Sequence, residues 1–92
     1  MNVIVTKSFA RDLKLLPKQT QTAALKVVDI LATAGSLEET PLDYIKCKGG
    51  KNNHYYRLCI GNYRIGIKYK SPDVLMICCI IRGEVYKHFP PK

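Results

Sequence analysis

The segment YYRLCI-GN-YRIGIKYK, residues 55–70, leaves little choice of local structure. Two runs of alternating residues flank Gly61-Asn62, and a two-residue turn of this composition matches the twist of the strands it joins, which makes it a strong hairpin signal. A strand period of two then assigns every side chain to a face. Tyr56, Leu58 and Ile60 share one face with Tyr63, Ile65, Ile67 and Tyr69. Tyr55, Arg57 and Cys59 lie on the other, with Arg64, Gly66, Lys68 and Lys70. One face of this hairpin is apolar and the other is cationic.

The rest of the chain has to cover the apolar face. Asn2 to Val5 is short and β-branched, and Thr6 can cap the segment that follows, so a strand is expected to pass into a helix. Phe9, Leu13 and Leu16 recur at helical spacing until Pro17 interrupts. Pro17 is compatible with the first turn of a second helix, in which Ala24, Val27, Val28 and Leu31 form an apolar stripe before Gly35, a plausible C-cap. Residues 36–54 carry Pro41 and the run IKCKGGKNN, and read as a long irregular stretch ending in a basic loop. Beyond the hairpin, Ser71-Pro72-Asp73 turns the chain into residues 74–81, whose unbroken apolar character suggests a strand buried on both faces. Arg82 follows in phase with Val74, Met76, Cys78 and Ile80, and is expected to join the cationic face at the strand's end.

The expected fold is α+β. An N-terminal strand and a two-helix hairpin precede a three-stranded antiparallel meander, with the helices packed on one face of a four-stranded sheet. A chain of 92 residues suits one core, so residues 1–92 are read as a single domain.

Charge is distributed unevenly. Residues 1–43 hold five basic and five acidic side chains, whereas residues 44–92 hold ten basic ones against Asp73 and Glu84 alone, so the whole net charge of +8 lies in the second half. All six tyrosines, at 44, 55, 56, 63, 69 and 86, lie there too. Cations interleaved with aromatic rings are what phosphate contact and base stacking require, so a polyanion is the expected partner. The longest apolar stretch is far shorter than the roughly 20 residues needed to cross a bilayer, and the N-terminal segment lacks the apolar core of an export signal, which predicts a cytoplasmic protein with no membrane partner. Cys47, Cys59, Cys78 and Cys79 are then expected as reduced thiols. They form no C-x-x-C pair, and adjacent Cys78 and Cys79 would point to opposite faces of a strand, so neither a metal site nor any other cofactor is expected.

The segments YYRLCIGNYRIGIKY and IIRGEVYKHF, behind the helical piece FARDLKLLPKQ, resemble the RelE/ParE superfamily of bacterial toxins over nearly the whole chain. The resemblance implies a compact toxin neutralised by a cognate antitoxin. In the RelE branch such toxins cleave mRNA, commonly in the ribosomal A site; in the ParE branch they inhibit DNA gyrase.

For the RelE-type reading, the resemblance carries over four residues. Arg64 and Arg82 match the family's active-site arginines, Arg57 falls where RNA-cleaving relatives have a lysine or arginine, and Tyr86 matches the tyrosine near the C-terminus. Metal-free cleavage by a 2′-OH needs a proton acceptor, a proton donor and fixed positive charge around the phosphorane. By resemblance Tyr86 would deprotonate or orient the 2′-OH while Arg64 and Arg82 hold the phosphate. Lys46, Lys48 and Lys51 of the basic loop, and Lys68 of the cationic face, are expected to attract the RNA backbone. His54 and His88 are acid–base candidates by residue type, since imidazole changes charge near neutral pH, but they sit at a loop end and in the tail. Two positions depart from the pattern: Cys59 stands where RNA-cleaving relatives often carry another basic residue, and Ile80-Ile81 where many have a glycine and a histidine. A ParE-type gyrase inhibitor and a non-catalytic basic binding module stay open beside the nuclease.

Overall fold

In a computed structural model, described over residues 1–48 and 53–89 and by backbone alone at 86–88, five strands and three α-helices are found among the described residues. The order is β1 (Asn2–Val5), α1 (Lys7–Lys14), α2 (Lys18–Thr33), a 3₁₀ turn at Leu37–Glu39, β2 (Tyr44–Lys46), β3 (Tyr55–Ile60), β4 (Tyr63–Lys70), β5 (Asp73–Ile81) and α3 (Arg82–His88). The strands form one sheet in the order β1-β5-β4-β3-β2, with β1 parallel to β5 and every other pair antiparallel.

Most of the expected elements are present, because their signals are local. Thr6 caps α1 by accepting the Phe9 N–H at 3.2 Å. Pro17 is the N-cap of α2 and its carbonyl accepts the Gln21 N–H at 2.9 Å. The stripe of Ala24, Val27 and Leu31 is buried with Phe9 against Leu58, Ile65, Ile67, Val74 and Met76, while Leu13, Leu16 and Val28 pack at its margin. The α2 C-terminus departs from expectation. Ala34 rather than Gly35 is the C-cap, and the Met1 ammonium donates to the carbonyls of Leu31, Ala32 and Ala34 at 3.2, 3.0 and 2.8 Å, satisfying acceptors that a helix end leaves open.

Three further differences bear on the site. First, the sheet has five strands, not four. Tyr44–Lys46 pairs with β3 in the register Tyr44↔Leu58, Ile45↔Arg57 and Lys46↔Tyr56, inside the stretch expected to be irregular. Three residues are too few for alternation to show against a neighbouring proline and glycine run. Second, a helix occupies Arg82–His88 where only a tail was expected. Seven residues with Gly83 among them have little intrinsic helicity, so tertiary packing of Val85 and Phe89, at 0% and 3% exposure, must hold α3 in place.

Third, β5 does not keep one phase. Gly66 pairs with Cys78 and Ile67 with Met76, leaving Ile77 as an unpaired bulge residue. Val74 and Met76 therefore face α1 and α2, and so does Cys79 beyond the bulge. Cys78 and Ile80 turn to the opposite face, where Cys47, Cys78, Val85 and Phe89 form a second buried cluster with Tyr55, Ile77 and Ile80 around it. The expectation that β5 is buried on both faces holds; the expectation of one continuous phase from Val74 to Ile80 does not.

The bulge lies where β1 ends. Past Val5, the exposed edge of β5 is served by α1 and its cap: Thr6 Oγ1 donates to the Met76 carbonyl at 2.7 Å, Ser8 Oγ to the Ile77 carbonyl at 2.6 Å, and Asp12 Oδ2 accepts the Cys79 N–H at 3.1 Å. These side chains supply the bonds that a neighbouring strand would otherwise make, as buried main-chain groups require.

Candidate nucleic-acid interface

The cationic face is organised around Gly66. In the antiparallel ladder Arg57 stands directly opposite Gly66, so Arg64 and Lys68, two residues to either side of Gly66 on β4, are both diagonal neighbours of Arg57. Such diagonal pairs lie within reach of long side chains, at about 7–8 Å between backbones. Gly66 contributes no side chain because there is no room for one. A Cβ built there would lie 2.7 Å from both Cys78 Sγ and Phe89 Cδ1. Thus α3 and Phe89 cover the middle of the face and leave its cations around the rim.

Arg64 and Arg82 meet at the same turn. Arg64 Nη1 donates to the carbonyls of Gly61 and Tyr63 at 2.9 and 2.8 Å, while the Arg82 N–H, at the start of α3, donates to the Asn62 carbonyl at 2.9 Å. Gly61 has φ 59°, a conformation open to glycine at little cost, which lets the turn present these carbonyls. A guanidinium has five N–H donors in a fixed fork, so an Arg64 anchored through Nη1 retains Nε and Nη2 to offer an anion. Arg64 is half-buried and Arg82 exposed. Arg57 is half-buried too, and lies close enough to the Cys47 thiol to oppose the rise that burial imposes on it.

Lys68 is exposed on this face, its Nζ 5.9 Å from the centre of the Tyr55 ring, which in turn meets Phe89 edge-on at 5.4 Å. Lys46 is not on this face. It pairs with Tyr56, with Nζ 6.0 Å from that ring's centre, and so belongs to the side of the sheet that faces α1 and α2. A loop lysine has no face; pairing into β2 gives Lys46 one, and it is the other one. Lys48 is exposed just beyond β2, and Lys51 lies outside the described residues. Tyr86 occupies α3 four positions after Arg82, one helical turn away, and its side chain lies outside the described residues, as does that of His88. His54 is partly buried at the foot of β3, where its carbonyl accepts the Tyr69 N–H at 2.8 Å.

Sequence reasoning therefore finds Arg57, Arg64 and Lys68 together and Arg82 at the same turn, and reads as loop the Lys46 that β2 holds. It misses Phe89 and the reason for Gly66. A glycine inside a strand marks a close approach by another group, and that was the available signal. No group of three or more His, Cys, Asp or Glu side chains suited to hold a metal is found among the described residues. No described helix is long and apolar enough to cross a membrane.

Comparison with known proteins agrees with this architecture. Residues 3–85 match the family described as the ParE toxin of the type II toxin–antitoxin system parDE. The chain is 33% identical over 90 residues to Toxin RelE3 of Methanocaldococcus jannaschii, covering 98% of this chain and all of that protein. It superimposes on a chain of the RelB–RelE antitoxin–toxin complex from Methanococcus jannaschii with a TM-score of 0.78 and 30% identity, covering 95% of this chain and 99% of that one. A chain of the archaeal RelE–RelB complex from Pyrococcus horikoshii OT3 is similar at a TM-score of 0.69 and 27% identity, covering 89% and 94%. The strand order, the helical hairpin and these matches have one meaning: the chain belongs to the RelE/ParE superfamily of toxins of type II toxin–antitoxin systems.

Proposed function

We propose that this toxin is a metal-independent endoribonuclease that cuts mRNA, on the ribosome, through attack of a 2′-OH on the adjacent phosphodiester. The observation that carries the reading is the convergence of Arg57, Arg64 and Lys68 around Gly66, with Arg82 bonded to the turn that anchors Arg64. Arg64 and Arg82 hold the non-bridging oxygens of the scissile phosphate and oppose the charge that builds on the phosphorane. Arg57 fixes the strand from across the hairpin. Tyr86 takes or orients the 2′-OH proton as the 2′-oxygen forms a bond to phosphorus. The 5′-oxygen leaves with a proton supplied by water, and a 2′,3′-cyclic phosphate remains. A cognate antitoxin silences the toxin, as the RelB–RelE complexes among its structural neighbours suggest, and the toxin acts in the cytoplasm.

The test is expression of the wild type beside Arg64→Ala, Arg82→Ala and Tyr86→Phe, with message integrity and translation followed with and without ribosomes. Cleaved messages in the wild type and intact ones in the variants are expected. Growth arrest with intact messages would sink the reading.

A second reading has its own support, because the matching family is described by its ParE toxin. Under it the chain inhibits DNA gyrase and cuts nothing. A supercoiling assay with purified gyrase separates the two.

A further inference from the structure

A cleft of about 370 Å³ opens between α1 and the second half of β5. It is a direct product of the bulge at Ile77, which turns Cys78 and Ile80 toward it and leaves Ile77 on its wall. Phe89 lines it as well. The opposite wall is the first turns of α1, held there by the bonds from Ser8 to the Ile77 carbonyl and from the Cys79 N–H to Asp12. Arg11 and Asp12 both line the cleft, Arg11 as an exposed side chain and Asp12 as a half-buried one. Its volume falls in the range of sites that hold small ligands or single residues of a polymer.

Position ties this cleft to the cationic face. Ile80, on its wall, is the direct cross-strand partner of Arg64, and Arg82 follows two residues later. Neighbouring strands lie about 4.8 Å apart, so the cleft begins one strand from the arginine assigned to the scissile phosphate. Its chemistry differs from that of the face. A carboxylate inside the cleft repels a phosphate, yet accepts N–H groups: Asp12 Oδ2 takes the Cys79 N–H, and a carboxylate has about four acceptor positions in all. Isoleucine, cysteine and phenylalanine favour a flat apolar ligand, and a guanidinium can lie against such a ring or donate to its edge. A planar, uncharged group carrying both N–H donors and ring acceptors, attached to a phosphate chain, is a nucleobase.

We propose that this cleft receives one unstacked purine base of the RNA strand, next to the phosphate held by Arg64, and this rests on the RNA-binding reading above. Purines are favoured because only they present the N7 acceptor to Arg11 on the same edge as a six-position substituent. In adenine the neighbouring amino group can donate to Asp12, and in guanine O6 accepts a second bond from Arg11. Arg11 is then a specificity residue for the base.

The test uses the full chain and an eight-nucleotide RNA, 2′-O-methylated throughout so that it cannot be cut, with one abasic residue moved along it and binding followed by fluorescence anisotropy. One position is expected to weaken binding roughly tenfold when abasic, in keeping with the loss of a single stacked base, and to prefer purine over pyrimidine. Arg11→Ala should weaken binding of the intact strand by a similar factor and abolish the dependence on that position. Equal sensitivity at all positions overturns the pocket, as does an Arg11→Ala variant that keeps the dependence or loses affinity equally for the abasic strand. The two readings fail separately. Base-dependent binding without cleavage of the natural RNA removes the nuclease and keeps the pocket; cleavage without base dependence does the reverse.

Discussion

The ring of Phe89 lies where a side chain at Gly66 would be, 2.7 Å from the position of its Cβ, so the last residue of the α3 region and the middle of β4 fit only because residue 66 has none. Gly66→Ala should therefore destabilise the protein by roughly 1–3 kcal/mol, the usual cost of overpacking. Urea unfolding measures it. The double variant with Phe89→Ala should cost less than the sum of the two single changes, because removing the ring relieves one of the two close contacts and leaves only that with Cys78 Sγ; strict additivity would mean that the ring does not constrain the fold.

Arg64 is both an anchor for the hairpin turn and a candidate phosphate ligand. Arg64→Lys keeps the charge and loses the fork. We expect the stability to change by no more than about 1 kcal/mol, as for a partly exposed hydrogen-bonding group, and single-turnover RNA cleavage to fall at least tenfold. Cleavage at the wild-type rate would remove Arg64 from the chemistry.

Lys46 and Lys68 are both exposed but lie on opposite faces of the sheet. Lys68→Ala should reduce the salt dependence of RNA binding by about one phosphate contact, a change near 0.7 in the log–log slope for a single strand. Lys46→Ala should leave the slope unchanged. Titrations of the same oligonucleotide at several salt concentrations decide this.

Asp12 closes the edge of β5 at Cys79. Asp12→Ala leaves that N–H without its acceptor, at a cost of about 1–3 kcal/mol if water does not replace it. Asp12→Asn keeps a carbonyl oxygen in place and should retain most of the stability. Hydrogen exchange at the Cys79 amide, fast in the first variant and slow in the second, reports the bond itself.

The thiols predict an alkaline limit. Burial is the main cause that pushes Cys78 up to about 11, with the charges of Asp12 and Cys47 adding to it and a Gly66 main-chain hydrogen bond opposing it. Burial likewise pushes Cys79 up to about 12, assisted by Cys78 and Asp12. Since the unfolded thiols titrate near 8.5, the native state binds more protons above that pH, and stability falls as pH rises from about 9 toward 12. It is fully present below pH 8. Urea midpoints that stay flat across this window would contradict it. At neutral pH a thiol reagent should modify partly exposed Cys59 first and reach Cys47 and Cys79 only on unfolding.

Much of this molecule is legible in its sequence where the signal is local and repeated. Gly61-Asn62 and the alternation around it place Arg57, Arg64 and Lys68 on one face, and the spacing of Ala24, Val27 and Leu31 finds the buried side of α2. What is not legible depends on partners distant in the chain. The run from Val74 to Ile81 is apolar at every position, so no alternation is available to show a slip at Ile77. The three residues of β2 acquire strand character only by pairing with β3, and with it the face on which Lys46 stands. Helix α3 depends on burial of Val85 and Phe89 against a sheet that the sequence does not show it meeting.

The unpaired residue at 77 divides β5 in two. Its first half is given over to holding the molecule together, with Val74 and Met76 in the main core; its second half turns Cys78 and Ile80 toward the cleft beside α1. Strict alternation through Ile77, with no bulge, would put Cys78 on the side of Met76 and turn every later residue, the chain that leads to Arg82 included, to the opposite face. A single extra residue thus sets the handover between the part of the strand that fills the main core and the part that shapes the opposite surface.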